Sequence, residues 1–188
     1  ETEGQLFEKG LSLLDEMLAH GTTTCEAKSG YGLSTEEEIK QLRVAKKLSD
    51  SQPVDLVTTF LGAHAVPTEY KDNREGYIDL LINEMLPAVA DAGLAEFCYI
   101  FCETAVCGPE ESKRILAKAR ELGFQLKGHV DEIDPIGGAE MAAEMECISA
   151  EHLIQASDQG IKDMAAKNVA AVLLPATSCP RFPAGLSA

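Results

Sequence analysis

The chain has no long apolar run, no basic cluster and no closely paired cysteines, and each absence excludes a class of function. No stretch approaches the roughly 18 apolar residues of a membrane-spanning helix, so no membrane role is expected. The opening Glu1-Thr2-Glu3 is neither a basic n-region nor an apolar run, so a secretory signal is not expected either. With no initiator Met, the chain reads as a fragment or a processed product. Lysines and arginines number 16 against 31 acidic residues, for a formal net charge of −15. A nucleic-acid binder needs a basic face, and none is present. The acidic groups, such as Glu36-Glu37-Glu38 and Glu110-Glu111, are spread over helical stretches and read as a solvated surface. Six cysteines (Cys25, Cys98, Cys102, Cys107, Cys147 and Cys179) form no C-x-x-C pair and lack the spacing of a zinc knuckle. They read as reduced thiols of a cytoplasmic protein, several serving as small core residues. No G-x-G-x-x-G or P-loop follows any strand, which disfavours nucleotide binding.

What is present is alternation between two hydrophobic periods. Leu6, Phe7, Leu11, Leu14 and Leu18 have helical spacing, and His20-Gly21 ends that helix. A short β-prone run at 22–25 follows. Then comes a Gly-rich turn and a helix to about Ser49, capped by Ser34 or Thr35, with Glu38 completing a capping box with Thr35. The unit repeats. Strands are expected at 54–61, 97–102, 124–129, 147–150 and 169–174, and helices at about 73–91, 109–122, 136–145 and 157–167. Six strands alternating strictly with helices imply a parallel α/β sheet, either doubly wound or part of a (β/α)8 barrel. Residues 1–178 form the expected domain. The tail 179–188, with its prolines and small residues, is expected to be irregular.

Nearly every expected strand delivers a polar group to its C-terminal end, the edge where parallel α/β folds build their sites. In order these are Glu26, Lys28 and Tyr31; His64; Glu103; His129, Asp131 and Glu132; Glu151 and His152; and Thr177 and Ser178. Three of the four histidines fall there. His20, at a helix C-terminus, reads as structural. Gly128 leaves space beside His129 for a metal or a substrate, and neutral imidazole is the usual ligand of zinc or iron. Glu132, three residues on, can reach the same pocket as a proton carrier. The plainer reading of Asp131 and Glu132 is that they only solvate their loop.

These residues lie in stretches that resemble the imidazolonepropionases, a family of amidohydrolases. The stretches are Ala19–Thr24, Glu26-Ala27-Lys28-Ser29-Gly30-Tyr31-Gly32-Leu33, Thr59–Pro67, Phe101-Cys102-Glu103, His129-Val130-Asp131-Glu132-Ile133-Asp134, Gly137–Glu140, Ser149–Leu153 and Val172–Pro175. They keep the family's order to about Thr177. The resemblance implies a metal-dependent (β/α)8 TIM-barrel amidohydrolase, here a partial barrel of about six β/α units. Its substrate would be 4-imidazolone-5-propanoate and its product N-formimino-L-glutamate, in histidine degradation. By motif, His129 would be a ligand of one zinc or iron ion. Glu132 would contact the ring and move protons, and His152 would polarise the carbonyl or stabilise the tetrahedral intermediate. Tyr31 and His64 would hold the substrate. The metal would lower the pKa of a bound water. The resemblance further implies a cytoplasmic enzyme that is a homodimer at full length.

The departures are equally specific. The family's H-x-H ligand pair and its late-strand Asp do not occur here, nor does the arginine expected for the propanoate. The remaining ligands are therefore expected outside this chain. A complete barrel takes about 250 residues and eight strands. An open six-stranded piece would expose its edges, so the isolated chain is expected to be unstable, oligomeric or rearranged, and itself inactive. Two alternatives stay open: another amidohydrolase acting on a cyclic amide or nucleobase, and a non-catalytic α/β binding domain.

Overall fold

The computed structural model describes residues 1–104 and 106–175. The tail expected at 179–188, Cys179 and the polar pair Thr177 and Ser178 lie outside the described residues.

Six strands alternate with helices. The strands are β1 (Thr24–Lys28), β2 (Asp55–Ala63), β3 (Phe97–Cys102), β4 (Gln125–Val130), β5 (Ser149–His152) and β6 (Ala170–Val172). All pairs are parallel and the spatial order equals the chain order. The helices are α1 (Glu3–Ala19), α2 (Thr35–Ser49), α3 (Arg74–Leu80), α4 (Leu86–Asp91), α5 (Pro109–Glu121), α6 (Gly138–Glu144) and α7 (Asp158–Lys167). A single π turn, Leu81–Met85, joins α3 to α4. Its cause is Pro87, which has no N–H and whose ring would crowd the carbonyl four residues back; the Leu86 N–H reaches Leu81 O instead.

The sheet curls. In a flat sheet β1 and β5 would stand four strand spacings apart, roughly 19 Å, beyond the reach of two side chains. Yet Lys28 Nζ on β1 lies 2.9 Å from Glu151 Oε2 on β5, and Lys127 Nζ on β4 lies 2.7 Å from Glu26 Oε1 on β1. Only a concave sheet allows both contacts, so the six strands form a curled half-barrel.

Pleating assigns the two faces. Register places Phe60, Cys98, Ile100, Val130 and Ala150 on the convex face, all buried. Leu81, Met85, Leu86, Ile115, Leu116, Met141 and Ala142 of the helices cover them as one apolar core. Burying this layer is the main driving force of the fold. The five described cysteines are all free. Burial pushes the Cys102 thiol up to about 11 and those of Cys107 and Cys147 up to about 12, so they act as small apolar packing groups.

Two local expectations are corrected. Ser34 caps α2, with its hydroxyl accepting from the Glu37 N–H, and Glu38 takes no part in a capping box with Thr35. The Glu38 side chain is instead fully buried and accepts from the N–H groups of Gly32 and Leu33, which ties down the turn that carries Tyr31. Glu26, Lys28, Glu151 and His152 lie within strands and not after them. The concave face is polar, so β1, β2, β4 and β5 run one to three residues beyond the ends expected for them, while β3 ends where expected and β6 two residues earlier.

Candidate active site

The site occupies the C-terminal edge of the concave face. His64 directly follows β2, His129 is penultimate in β4, and His152 closes β5. Register pairs Phe101 with His129 and His129 with Glu151, which puts these three on the inner face. By simple alternation His152 would point outward. Its backbone is left-handed (φ 72°), as is that of Leu153 (φ 58°), and this breaks the pleat and turns the imidazole inward. The His129 and His152 ring centroids are 3.9 Å apart.

Rings line the cleft in a continuous series. Tyr31 meets His64 edge-on at 4.7 Å, His64 stacks on Phe101 at 5.9 Å, and Phe101 meets His129 at 4.0 Å. With Lys28, Ser29, Leu61, Tyr99, Glu151, His152 and Leu174 they enclose a cleft of about 270 Å³, enough for a small cyclic substrate. Tyr31 is 80% exposed and stands at the mouth.

The carboxylate of Glu132 lies between the two histidines, 2.7 Å from His129 Nε2 and 3.1 Å from His152 Nδ1. These are close approaches without hydrogen-bond geometry, and both ring nitrogens are buried with no hydrogen-bond partner. Burial, then the neighbouring His152, pushes the His129 imidazolium down to about 4, against the opposing pull of Glu132. A neutral imidazole with an orphaned nitrogen is what a divalent cation requires. One ligand atom from each of His129, Glu132 and His152 falls within 4.8 Å of the others, so these residues fit a metal ion.

Below the histidines lies a compact charged layer. Lys28 pairs with Glu151 and stands 3.5 Å from Glu26, and Lys127 pairs with Glu26. Tyr99 Oη donates to Glu151 Oε2 at 2.6 Å, and Thr59 Oγ1 donates to Glu26 Oε1 at 2.5 Å. The Lys28 ammonium also sits 4.0 Å over the Tyr99 ring.

The structure brings together all five residues singled out from sequence: Tyr31, His64, His129, Glu132 and His152. Glu132 faces the histidines and does not merely solvate its loop. Asp131 is 1% exposed and accepts from Gly138 N–H at 2.9 Å and Ala139 N–H at 2.8 Å, so it caps α6 and has no solvating role. Phe101 and Tyr99 were missed as site residues, and Lys28 was placed at its strand end without a role. The signal was there for the first two: Phe97, Tyr99 and Phe101 alternate along β3, two residues apart, on the face that carries His129.

The six parallel strands and their helices define the class: a curled half of a TIM-barrel fold, with a group that could hold a metal ion at its C-terminal edge. The adenine deaminase from Arthrobacter aurescens superimposes over 95% of this chain and 54% of its own, with a TM-score of 0.69 at 16% identity. Ochratoxinase from A. niger covers 83% of this chain and 42% of its own, at a TM-score of 0.54 and 19% identity. No family model matches the chain. Within the class, the chain is similar to the imidazolonepropionases over nearly all its length. It is 56% identical over 177 residues to the imidazolonepropionase of Geobacillus thermodenitrificans and 53% identical over 174 residues to that of Treponema denticola. The aligned residues make up 94% and 93% of this chain, but the chain spans only 42% of either relative.

Proposed function

We propose that this chain supplies the substrate cleft, the proton carrier and one metal ligand of an enzyme that hydrolyses 4-imidazolone-5-propanoate to N-formimino-L-glutamate. The observation that carries the reading is the Glu132 carboxylate set between His129 Nε2 and His152 Nδ1, two residues that line a ring-walled cleft of substrate size. In this reading His129 holds one zinc or iron ion through Nε2, and the other ligands come from outside this chain. When bound, the ion supplies Lewis acidity toward water and the ring carbonyl.

The chain's own residues do the rest. Phe101 and His64 provide flat surfaces against which a planar imidazolone ring stacks, and Tyr31 closes over it from the mouth. In the reaction a water oxygen bonds to the ring carbonyl carbon, the adjacent C–N bond breaks, and the water's proton reaches the departing nitrogen. Glu132 accepts that proton and returns it to the nitrogen. His152, beside it, donates a hydrogen bond to the carbonyl oxygen as negative charge develops there. The left-handed backbone at His152 holds the ring ready for this. We assign the complete enzyme to the cytoplasm, as a homodimer.

The test is loss of imidazolone propanoate absorbance together with elemental analysis, on the complete protein that carries this segment. About one equivalent of divalent metal with ring opening is the expected result. Turnover of a nucleobase with none of imidazolone propanoate would replace this reading with a deaminase.

A further inference from the structure

Glu103 directly follows β3, and its side chain is buried, 1% exposed. Its carboxylate accepts from three consecutive backbone N–H groups of the neighbouring β–α loop. Oε1 accepts from Glu132 at 2.7 Å and Ile133 at 3.1 Å, and Oε2 accepts from Asp134 at 3.3 Å. Burying a carboxylate is costly, and charge-assisted bonds of this kind are what compensate it.

The rest of the loop is tied by the Gln155 N–H to Asp131 O at 2.7 Å and by the Ile136 N–H to Asp134 O at 2.9 Å, and the Glu103 carboxylate takes the three amides of 132–134. Ile133 is 64% exposed, so the loop is not anchored by burying its own apolar residue. Asp131 fixes the preceding position by capping α6, at a left-handed φ of 50°. The Glu132 backbone is held between that cap and the Glu103 carboxylate, and from it the side chain reaches His129 and His152.

We propose that Glu103 is a positioning residue: it clamps the loop after β4 from the adjacent strand so that the Glu132 carboxylate stays between the two histidines. The inference rests on the reading of Glu132 as proton carrier, but the clamp itself has a readout that does not. A carboxylate displaced by about 1 Å loses much of its value in proton transfer, whereas substrate stacking on Phe101 and His64 does not depend on it.

The experiment uses the complete metal-loaded protein, with Glu103→Ala, Glu103→Gln, Glu132→Gln and the double variants. Glu103→Ala is expected to lower kcat by roughly 10–100-fold with KM within about threefold, as for other residues that act through a neighbour. In the Glu132→Gln background the same change is expected to lower kcat by less than about twofold, because the group it positions is already gone. Hydrogen exchange at the amides of Glu132, Ile133 and Asp134 is expected to speed up at least tenfold in Glu103→Ala, without change in the β3 amides. Glu103→Gln keeps one carbonyl acceptor and is expected to fall between wild type and alanine on both readouts, and it decides the matter if the alanine variant does not fold. Equal loss of kcat in both backgrounds, or Glu103→Gln matching wild type in kcat and exchange, overturns the clamp. Faster exchange at the three amides in Glu103→Ala, in a protein whose wild type opens no imidazolone ring, would uphold the clamp and sink the proposed reaction instead.

Discussion

Lys28 on the first strand and Glu151 on the fifth meet at 2.9 Å across the concave face, where a β/α barrel more often carries Val, Ile and Leu. Their side chains are 28% and 10% exposed, so the pair is only partly screened by solvent. Removing the cation leaves Glu151 with Tyr99 and with Lys127 at 4.0 Å. Lys28→Met is therefore expected to destabilise the complete protein by about 1–3 kcal/mol, less than a fully buried pair would because of that residual exposure. Urea denaturation measures it, and an unchanged midpoint would mean that the pair does not hold the curl.

Glu26 gives the fold a pH dependence. Burial raises its carboxyl pKa, but the hydrogen bonds from Lys127 and Thr59 and the charges of Lys28 and Lys127 outweigh burial, so the net shift is downward from 4.5. A carboxyl with a depressed folded value stabilises the fold fully above its unfolded value and loses that contribution as pH falls through the folded one. Wild type is thus expected to exceed Glu26→Gln in stability at pH 6 to 7, with the difference closing as pH falls below about 4.5. A difference that stays constant down to pH 3 would contradict the assignment.

The charged interior also explains what could be read from sequence. The convex face is apolar, so β2 and β3 announced themselves through Phe60, Cys98, Ile100 and their neighbours, and the alternation of strands with helices was plain. The concave face carries Glu26, Lys28, His129 and Glu151, which look like loop residues in isolation, so β1, β4 and β5 were expected to end too early. The inward turn of His152 depends on a left-handed φ that no local motif signals. The π turn before Pro87 has a local cause, and the buried Glu38 and Asp131 accept from N–H groups of nearby turns, but hydrophobic period announces neither.

Asp131 tests how much of its loop is structural. Its carboxylate satisfies two orphan N–H groups at the start of α6, and Gly138 packs so closely that an added Cβ would lie 2.6 Å from Val130 Cβ. Loss of a buried cap leaves those donors unpaired. Asp131→Ala is expected to cost about 2–3 kcal/mol in thermal or chemical denaturation. A loss below about 0.5 kcal/mol would show that water replaces the cap.

Tyr31 stands at the mouth, 80% exposed, with its ring against His64. It has much apolar surface to bury on a bound ring and no contact with Glu132 to lose. Tyr31→Ala is expected to raise KM by about 3–10-fold with kcat within about twofold, the pattern of an interaction made equally in ground and transition states. A large fall in kcat at unchanged KM would move Tyr31 into the chemistry.

The sharpest division of roles runs between His129 and Glu132, whose polar atoms are 2.7 Å apart. Both could ligate a cation, yet only one has another task in the proposed reaction. His129 is held neutral by burial and has no hydrogen-bond partner at Nε2, so its ring offers a lone pair and little else. Glu132 sits on a loop clamped by backbone bonds and faces both histidines, as a group that carries a proton between water and leaving nitrogen must. His129→Ala is therefore expected to lose bound metal and activity together. Glu132→Gln, nearly isosteric, is expected to keep close to the wild-type metal content while kcat falls by roughly 10²–10⁴-fold. Elemental analysis beside steady-state kinetics separates the two. If Glu132→Gln loses its metal in step with His129→Ala, Glu132 is a ligand first, and the proton must be carried by His152 or by a residue from the rest of the protein.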